Sequence, residues 1–134
     1  MENIIAQQLV KMQGKILEKI QEEGLENIGQ TAEMLFQTLK EGTCELLAAI
    51  LEATDAEIAR ATRERKADGL RVKERNVKRS LQTSLGAMEY GRTYYETAEG
   101  EHVYLLDHLI GVEAYERVSK ALCAKLVNLA AEMS

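Results

Sequence analysis

The feature that most constrains the fold is a stretch of β-like alternation, residues 70–119, in a chain that is otherwise helical in its periodicity. Leu70 and Val72 alternate with charged residues, and the same period continues on both sides of Gly86. Such alternation is typical of half-buried strands, and a glycine between two alternating runs indicates a hairpin. A second turn signal at residues 97–100 precedes a short strand at residues 102–104. The sequence therefore predicts a meander of three or four antiparallel strands.

The first 65 residues show the spacing of amphipathic helices. Apolar residues recur every three or four positions in a first helix over residues 2–22, which Gly24 ends: Ile5, Leu9, Met12, Ile16 and Ile20. A second helix starts at Asn27, a residue type that caps helix N-termini. Its predicted apolar face consists of Ile28, Ala32, Leu35, Phe36 and Leu39.

Gly42 and Thr43 mark either a break or a glycine tolerated within a longer helix. A third helical segment then places Leu46, Leu47, Ile50, Leu51 and Ile58 on one face. Downstream of the sheet, residues 105–110 form a short helix or a loop that Gly111 ends. Ser119 begins a last helix with an apolar stripe of Leu122, Leu126, Leu129 and Ala130.

The predicted fold class is therefore α+β, with long N-terminal amphipathic helices, an antiparallel β-meander of three to four strands, and a C-terminal helix. We divide the chain into an acidic helical arm or oligomerisation region, residues 1–68, and a basic meander with its following helix, residues 69–134. The sequence alone leaves open whether the helices form a hairpin on the domain or a dimerisation arm.

Composition excludes several functional classes. No apolar run approaches the roughly 18 residues of a membrane span, and the start lacks a basic secretion signal, so we expect a cytoplasmic protein. Cys44 and Cys123 are expected to be buried free thiols. His102 and His108 have no third ligand nearby, so we expect no metal site, and the sequence indicates no cofactor or small-molecule substrate.

The net charge of -5 hides a strong asymmetry. Residues 60–92 contain ten Lys and Arg against four Asp and Glu, whereas the remainder contains seven against eighteen. A basic segment in an acidic chain indicates a surface for an anionic partner, although a solvated charged face would give the same pattern.

Several motifs together resemble a known family. They are Thr83 with Gly86, Arg92-Thr93-Tyr94-Tyr95, residues 103–107, residues 111–119 and residues 129–134. On these residues the chain resembles the ISLre-type insertion-sequence transposases, also catalogued as transposase-like proteins of uncharacterised function. The resemblance extends over essentially the whole chain and is most specific in residues 79–134.

The resemblance implies the front end of a transposase that acts in DNA recombination. Full-length members are similar to DDE-type transposases, in which a downstream domain carries three carboxylates that hold two divalent metals. That domain is absent from this sequence, so we expect no catalytic residues and no enzyme activity in this chain. Asp55 and Asp107 are not assigned to a catalytic triad, and Asp107 is expected to cap a turn or a helix start.

DNA binding is the function that the basic strands favour. Lys and Arg neutralise phosphates, and a two-stranded ribbon fits a major groove. The candidate DNA-binding residues are Arg71, Lys73, Arg75, Lys78, Arg79 and Arg92. The tyrosines of the meander show no paired aromatic platform in the sequence, so we expect them to pack within the sheet.

Arg79 and Arg92 differ from the other four, because each stands an even number of positions from the apolar residues of its own strand. Their side chains are therefore expected on the apolar face of the sheet. If Ser84 pairs with Ala87, the two arginines lie opposite each other, an unfavourable arrangement unless an anion or carboxylate lies between them. They then form either a phosphate clamp or a pair that Glu74, Glu89 or an acidic helix neutralises.

Two functional hypotheses follow. In the first, the chain is a non-catalytic transposase domain that binds element-end DNA through its basic hairpin and helps assembly. In the second, it is a homo-oligomerisation module that pairs through the N-terminal helices and makes no contact with nucleic acid.

Overall fold

The computed structural model describes residues 1–61 and 66–112, together with residues 127, 128 and 131. Two long helices come first, a three-stranded sheet follows, and a short helix comes directly after the last strand. In chain order the elements are α1 (Glu2–Glu23), α2 (Ile28–Arg60), β1 (Arg71–Thr83), β2 (Gly86–Glu96), β3 (His102–Val103) and α3 (Leu105–Ile110). This order confirms the α+β class.

The predicted boundaries of the first two helices are confirmed. Gly24 follows α1 with φ 71°, a left-handed value that favours glycine and stops the helix. The Oδ1 atom of Asn27 accepts a hydrogen bond from the Gln30 N–H at 3.2 Å, which caps α2. None of the helices in the described part of the chain is long and apolar enough to cross a bilayer.

Gly42 is a glycine within a long helix, not a break, since α2 runs without interruption for 33 residues. A Cβ atom at Gly42 would lie 2.5 Å from Met12 Cγ, so glycine here allows α1 to approach α2 closely. Thr43 does not cap a new helix, because its hydroxyl donates to the Leu39 carbonyl at 2.6 Å.

The predicted apolar face at the start of α2 was wrong. Ile28 is 83% exposed and Phe36 is 60% exposed, whereas Thr31, Met34 and Thr38 are buried. The two threonines suit the buried face because each hydroxyl donates to the carbonyl four residues earlier in the chain, leaving its methyl group to pack.

The second half of α2 packs on the sheet. Leu81, Met88, Tyr90 and Leu106 form the buried core, and Leu47, Leu51 and Ile58 of α2 pack against it. Cys44 is half-buried, and its thiol donates to the Leu85 carbonyl at 3.2 Å, while burial raises the pKa of the thiol. The division at residue 68 stays a prediction, although this core joins the two parts.

The hairpin at Gly86 is confirmed, but its predicted register was wrong. Thr83 pairs with Gly86 and Gln82 with Ala87, so the turn lies one residue earlier than predicted. The Thr83 hydroxyl accepts from the Leu85 N–H at 3.1 Å and donates to the Gly86 carbonyl at 3.0 Å, and Gly86 adopts φ 117°. These bonds fix a two-residue turn at this position.

Strand β1 contains two irregularities of pairing, between Val72 and Glu74 and between Glu74 and Val77. Asn76 lies in the second and has φ 56°, a left-handed conformation that asparagine tolerates. The first irregularity shifts the alternation of the strand and the second shifts it back, since Val72, Glu74 and Val77 pair with Tyr95, Tyr94 and Arg92. Arg71 and Lys78 pair with Glu96 and Gly91 and therefore lie on opposite faces of the sheet.

The sheet is a meander with the strand order β1-β2-β3, which confirms three antiparallel strands. Gly111 ends α3 in the left-handed conformation, with φ 74°. The predicted last helix from Ser119, with Leu122, Leu126, Leu129 and Ala130, lies outside the described residues as a unit, as does Cys123.

Candidate functional site

A buried polar cluster is built around the carboxylate of Asp107. Arg79 Nη1 donates to Asp107 Oδ2 at 2.9 Å, and Arg92 Nη1 donates to the same oxygen. The Tyr90 hydroxyl donates to Oδ1 at 2.7 Å. The side chains of Arg79, Arg92 and Asp107 are 8%, 10% and 7% exposed. Two guanidiniums thus share one carboxylate in the interior.

The local folds of β1, β2 and α3 explain this cluster. Arg79, Tyr90 and Arg92 face the same side of the hairpin as the core residues Leu81 and Met88. The first turn of α3 brings Asp107 over them. Burial, followed by the hydrogen bond to Asp107, raises the pKa of Tyr90. The Asp107 side chain therefore binds the sheet, and the prediction that it caps a turn or helix start was wrong.

The structure also corrects the predicted geometry of Arg79 and Arg92. Arg79 lies opposite Tyr90, and Arg92 lies opposite Val77, so the two arginines are diagonal neighbours. The carboxylate between them comes from Asp107, not from Glu74, Glu89 or an acidic helix. Because both side chains are buried on this carboxylate, they are not part of the exposed basic surface of β1. A phosphate clamp at this pair stays untested.

The other four predicted DNA-binding residues lie on the exposed part of β1. Arg71 binds Glu96 Oε2 through Nε at 3.1 Å and Nη2 at 2.6 Å, and Lys73 Nζ lies 3.6 Å from the same oxygen. Lys78 Nζ lies 3.8 Å from Glu52. Arg75 is exposed and forms no ion pair with any described residue. We call Arg71, Lys73, Arg75 and Lys78 the basic edge.

The hydrogen bond from Arg71 lowers the pKa of Glu96, and the charges of Arg71, Lys73 and His102 act in the same direction. Burial opposes this shift. The Arg71 side chain is nevertheless 73% exposed and that of Lys73 is 49% exposed. Solvated ion pairs of this kind contribute little to stability and can exchange partners. The basic edge is therefore open to an external anion.

A pair of carboxylates that sequence reasoning did not assign covers part of β2. Glu52 Oε1 accepts from the Gly91 N–H at 2.9 Å. Asp55 accepts from the Thr93 N–H at 2.9 Å and from the Thr93 hydroxyl at 2.6 Å. The signal was their spacing of three on the helix, which places both on one face of α2. They satisfy strand N–H groups that a neighbouring strand would otherwise bind.

The tyrosines divide into two groups. Tyr90 and Tyr95 are fully buried, as expected for packing within the sheet. Tyr94 and Tyr104 are half-buried and stack on each other, with ring centroids 4.7 Å apart and an interplanar angle of 19°. The four described tyrosines thus pack within or against the sheet, as expected.

The fold and the site together define an α+β domain in which a helical pair supports a three-stranded sheet with a basic outer strand. The chain belongs to an uncharacterised protein family, UPF0236, whose model matches residues 19–134.

Relatives in Caldanaerobacter subterraneus subsp. tengcongensis resemble the chain over nearly its whole length. The UPF0236 protein TTE0610/TTE0881/TTE1053/TTE2432 is 34% identical over 135 residues, which cover 99% of this chain and 28% of the relative. A second relative, a UPF0236 protein whose name joins eleven designations from TTE0033 to TTE2212, is 35% identical over 135 residues. These again cover 99% of this chain and 28% of the relative. The UPF0236 protein TTE2489 is 36% identical over 110 residues, 81% of this chain and 24% of the relative.

The chain thus spans about a quarter of the length of these relatives. No solved structure matches it.

Proposed function

We propose that this chain is the non-catalytic N-terminal domain of an insertion-sequence transposase of the ISLre type, and that it binds element-end DNA through the basic edge. The observation that carries the proposal is the position of Arg71, Lys73, Arg75 and Lys78 on a solvent-exposed outer strand of an otherwise acidic chain. Four such cations neutralise phosphates and release counterions on binding.

The position of β1 in the sheet supports this proposal. It is the outer strand of the hairpin, 13 residues long, and it pairs with β2 along one side only. A two-stranded ribbon of this kind fits the width of a major groove. The two irregularities of β1 turn its basic side chains in more than one direction. A curved phosphate backbone can therefore meet several of them at once.

The transposase identity draws support from the names of the relatives. One name joins four designations and another joins eleven, all from a single bacterium. Several designations for one protein indicate several gene copies, which a mobile element leaves in a genome. The test is to read the coding region downstream of Ser134. An in-frame domain with three carboxylates would support the proposal, and an unrelated domain would contradict it.

DNA binding is tested by fluorescence anisotropy with duplexes from the sequences that flank the gene, at low and high salt. Replacing the four residues of the basic edge by alanine should weaken binding at least tenfold and flatten its salt dependence. A control variant removes four cations from the helices: Lys11, Lys15, Lys19 and Lys40. An equal loss in both variants, or no loss in the first, would contradict a site on β1.

A second candidate function is self-assembly through the helices. Its specific support is the exposed apolar surface of α1 and α2, where Leu9 is 51% exposed and Val10 is 65% exposed, in addition to Ile28 and Phe36. Exposed apolar surface of this extent is typical of an interface.

Sedimentation of the chain at high concentration tests this second function. A dimer that Ile28→Glu with Phe36→Glu dissociates would support it. The matched control adds the same charge on the same helix by Gln30→Glu with Gln37→Glu. A monomer at all concentrations would contradict the assembly hypothesis.

A further inference from the structure

A series of ring contacts joins the buried Asp107 cluster to the protein surface. The Arg92 guanidinium carbon lies 3.6 Å from the centroid of the Tyr104 ring. Tyr104 stacks on Tyr94, and the Tyr94 centroid lies 4.7 Å from that of His102, with the rings tilted by 50°. His102 is exposed, so the series ends in an imidazole ring that faces solvent.

This aromatic series reaches the surface at the same end of the sheet as the basic edge. Glu96 of β2 pairs with Arg71 on one side and with His102 on the other. Directly opposite residues on neighbouring strands point to the same face, so Arg71 and His102 flank Glu96 on one face of the sheet. The backbones of Arg71 and His102 are therefore two strand spacings apart, about 10 Å.

The inner members of the series fix the outer ones. Asp107 and the Tyr104 ring both hold Arg92, and Tyr104 in turn supports Tyr94. The His102 ring, which faces solvent, is consequently positioned before any ligand arrives. An aromatic ring held in this way, beside exposed cations, has the two elements of a single-strand binding site: a surface for a base and charges for its phosphates.

We infer that the His102 ring, supported by Tyr94, forms a stacking site for an unpaired base of single-stranded DNA, while Arg71 and Lys73 bind the adjoining phosphates. This inference rests on the proposed function and adds a site for an unpaired strand at one end of the basic edge, beside its contact with duplex DNA. A base within an intact duplex has both faces covered by its neighbours, so the stacking site reads strand ends, frayed termini or open DNA. When DNA binds, its phosphates replace Glu96 as the partner of Arg71 and Lys73.

The experiment compares a single-stranded oligonucleotide with its duplex, using the whole chain and fluorescence anisotropy at one salt concentration. His102→Ala should weaken single-strand binding about five- to a hundredfold, the range that loss of one stacked base gives, and should leave duplex binding unchanged. His102→Phe should restore single-strand binding, because phenylalanine keeps a ring for stacking. His108→Ala is the matched control, since His108 is also exposed and lies on α3 outside the series.

A 2-aminopurine base in the oligonucleotide supplies a signal that does not depend on affinity. Its fluorescence should be quenched when it stacks in the site of the unmodified chain, and the quenching should be lost in His102→Ala. Equal loss of single-strand and duplex binding in His102→Ala, or failure of His102→Phe to restore binding, would overturn the stacking site alone. Absence of binding to either form at low salt would overturn DNA binding and the stacking site together.

Discussion

Two sites on the same sheet contain the same arrangement, in which two cations share one carboxylate oxygen, yet they differ in exposure. In the interior, Arg79 and Arg92 bind Asp107 Oδ2, and all three side chains are at most 10% exposed. At the far end of the sheet, Arg71 and Lys73 bind Glu96 Oε2. The two cations are 73% and 49% exposed, while the Glu96 side chain is 15% exposed. The difference lies in how each site interacts with water.

The buried site has lost the water that would otherwise solvate its charges, so each charge depends on its protein partners. The exposed site keeps that water, and its ion pairs are screened and readily exchanged. The interior site therefore fixes α3 on the sheet, whereas the exposed site is free to meet a ligand. Sequence alone does not separate these roles, because both sites are made of ordinary Arg, Lys, Asp and Glu.

The largest expected effect comes from removing the carboxylate of the buried site. Asp107→Asn keeps the volume but takes away the charge that two buried guanidiniums bind. Breaking a buried ion pair from one side costs about 3–5 kcal/mol, so we expect a loss of that size in the free energy of unfolding. Urea denaturation measures it, with the exposed Asp68→Asn as control. A loss below about 1 kcal/mol would mean that the Asp107 ion pairs contribute no more to stability than solvated ion pairs such as those of Glu96.

A smaller loss is expected at the carboxylates that cover β2. Asp55→Ala leaves the buried Thr93 N–H without its acceptor, which costs about 1–3 kcal/mol. Glu52→Ala should cost less, because the Glu52 side chain is 45% exposed and water can replace it at Gly91. Urea denaturation again gives the values, and Glu57→Ala on the same helix is the control. Equal losses of unfolding free energy in Glu52→Ala and Asp55→Ala would show that the exposure of the carboxylate does not determine the cost of removing it.

The order and type of the described elements could be predicted from sequence because they depend on local signals. Gly24, Asn27, Gly86 and Gly111 each mark a boundary that the structure keeps. The change of period at Leu70 likewise marked the sheet. These signals act within a few residues, so one sequence suffices to find them.

The site could be predicted only in part, since it depends on contacts between distant residues. The alternation rule gave Arg79 and Arg92 the parity of core residues, but a one-residue error at the Gly86 turn placed them opposite each other. Their actual partner, Asp107, comes from a helix 15 residues after Arg92. The buried face of α2 was missed because threonine, whose hydroxyl bonds to its own helix, replaces an aliphatic residue there.

The buried site also makes the stability of the protein depend on pH, through the hydroxyl of Tyr90. The Tyr90 pKa is raised in the folded protein, mainly by burial, so the folded state keeps this proton when the unfolded state loses it near pH 10. Stability is therefore unaffected by Tyr90 below that pH and falls above it, by up to about 1.4 kcal/mol per pH unit. Urea denaturation between pH 8 and pH 11 should show a shallower fall in Tyr90→Phe. Parallel curves for the two proteins would contradict this role of Tyr90.

The irregularity at Asn76 separates the two cation sites along β1, and the Asn76 side chain lies against Gly91, which pairs with Lys78. A Cβ atom at Gly91 would lie 2.2 Å from Asn76 Oδ1. Asn76 Oδ1 is the end of an exposed side chain that can turn away, so Gly91→Ala should cost only about 1 kcal/mol, the low end of the penalty for excess volume. In an Asn76→Gly background the clash disappears and φ 56° suits glycine, so the same substitution should cost less there. Additive losses in urea denaturation would contradict a direct contact between the two residues.

The smallest effect on stability is expected at the exposed site, where Glu96→Gln removes the carboxylate that Arg71 and Lys73 share. Because both cations are solvated, we expect no measurable change in the urea midpoint, in contrast to Asp107→Asn. DNA affinity should instead rise about two- to tenfold at low salt, since a negative charge beside the phosphates is lost. Glu101→Gln, an exposed acidic residue that forms no ion pair with any described residue, is the control. A destabilisation as large as that of Asp107→Asn would mean that both carboxylates have a structural role, and unchanged affinity would remove Glu96 from the DNA-binding surface.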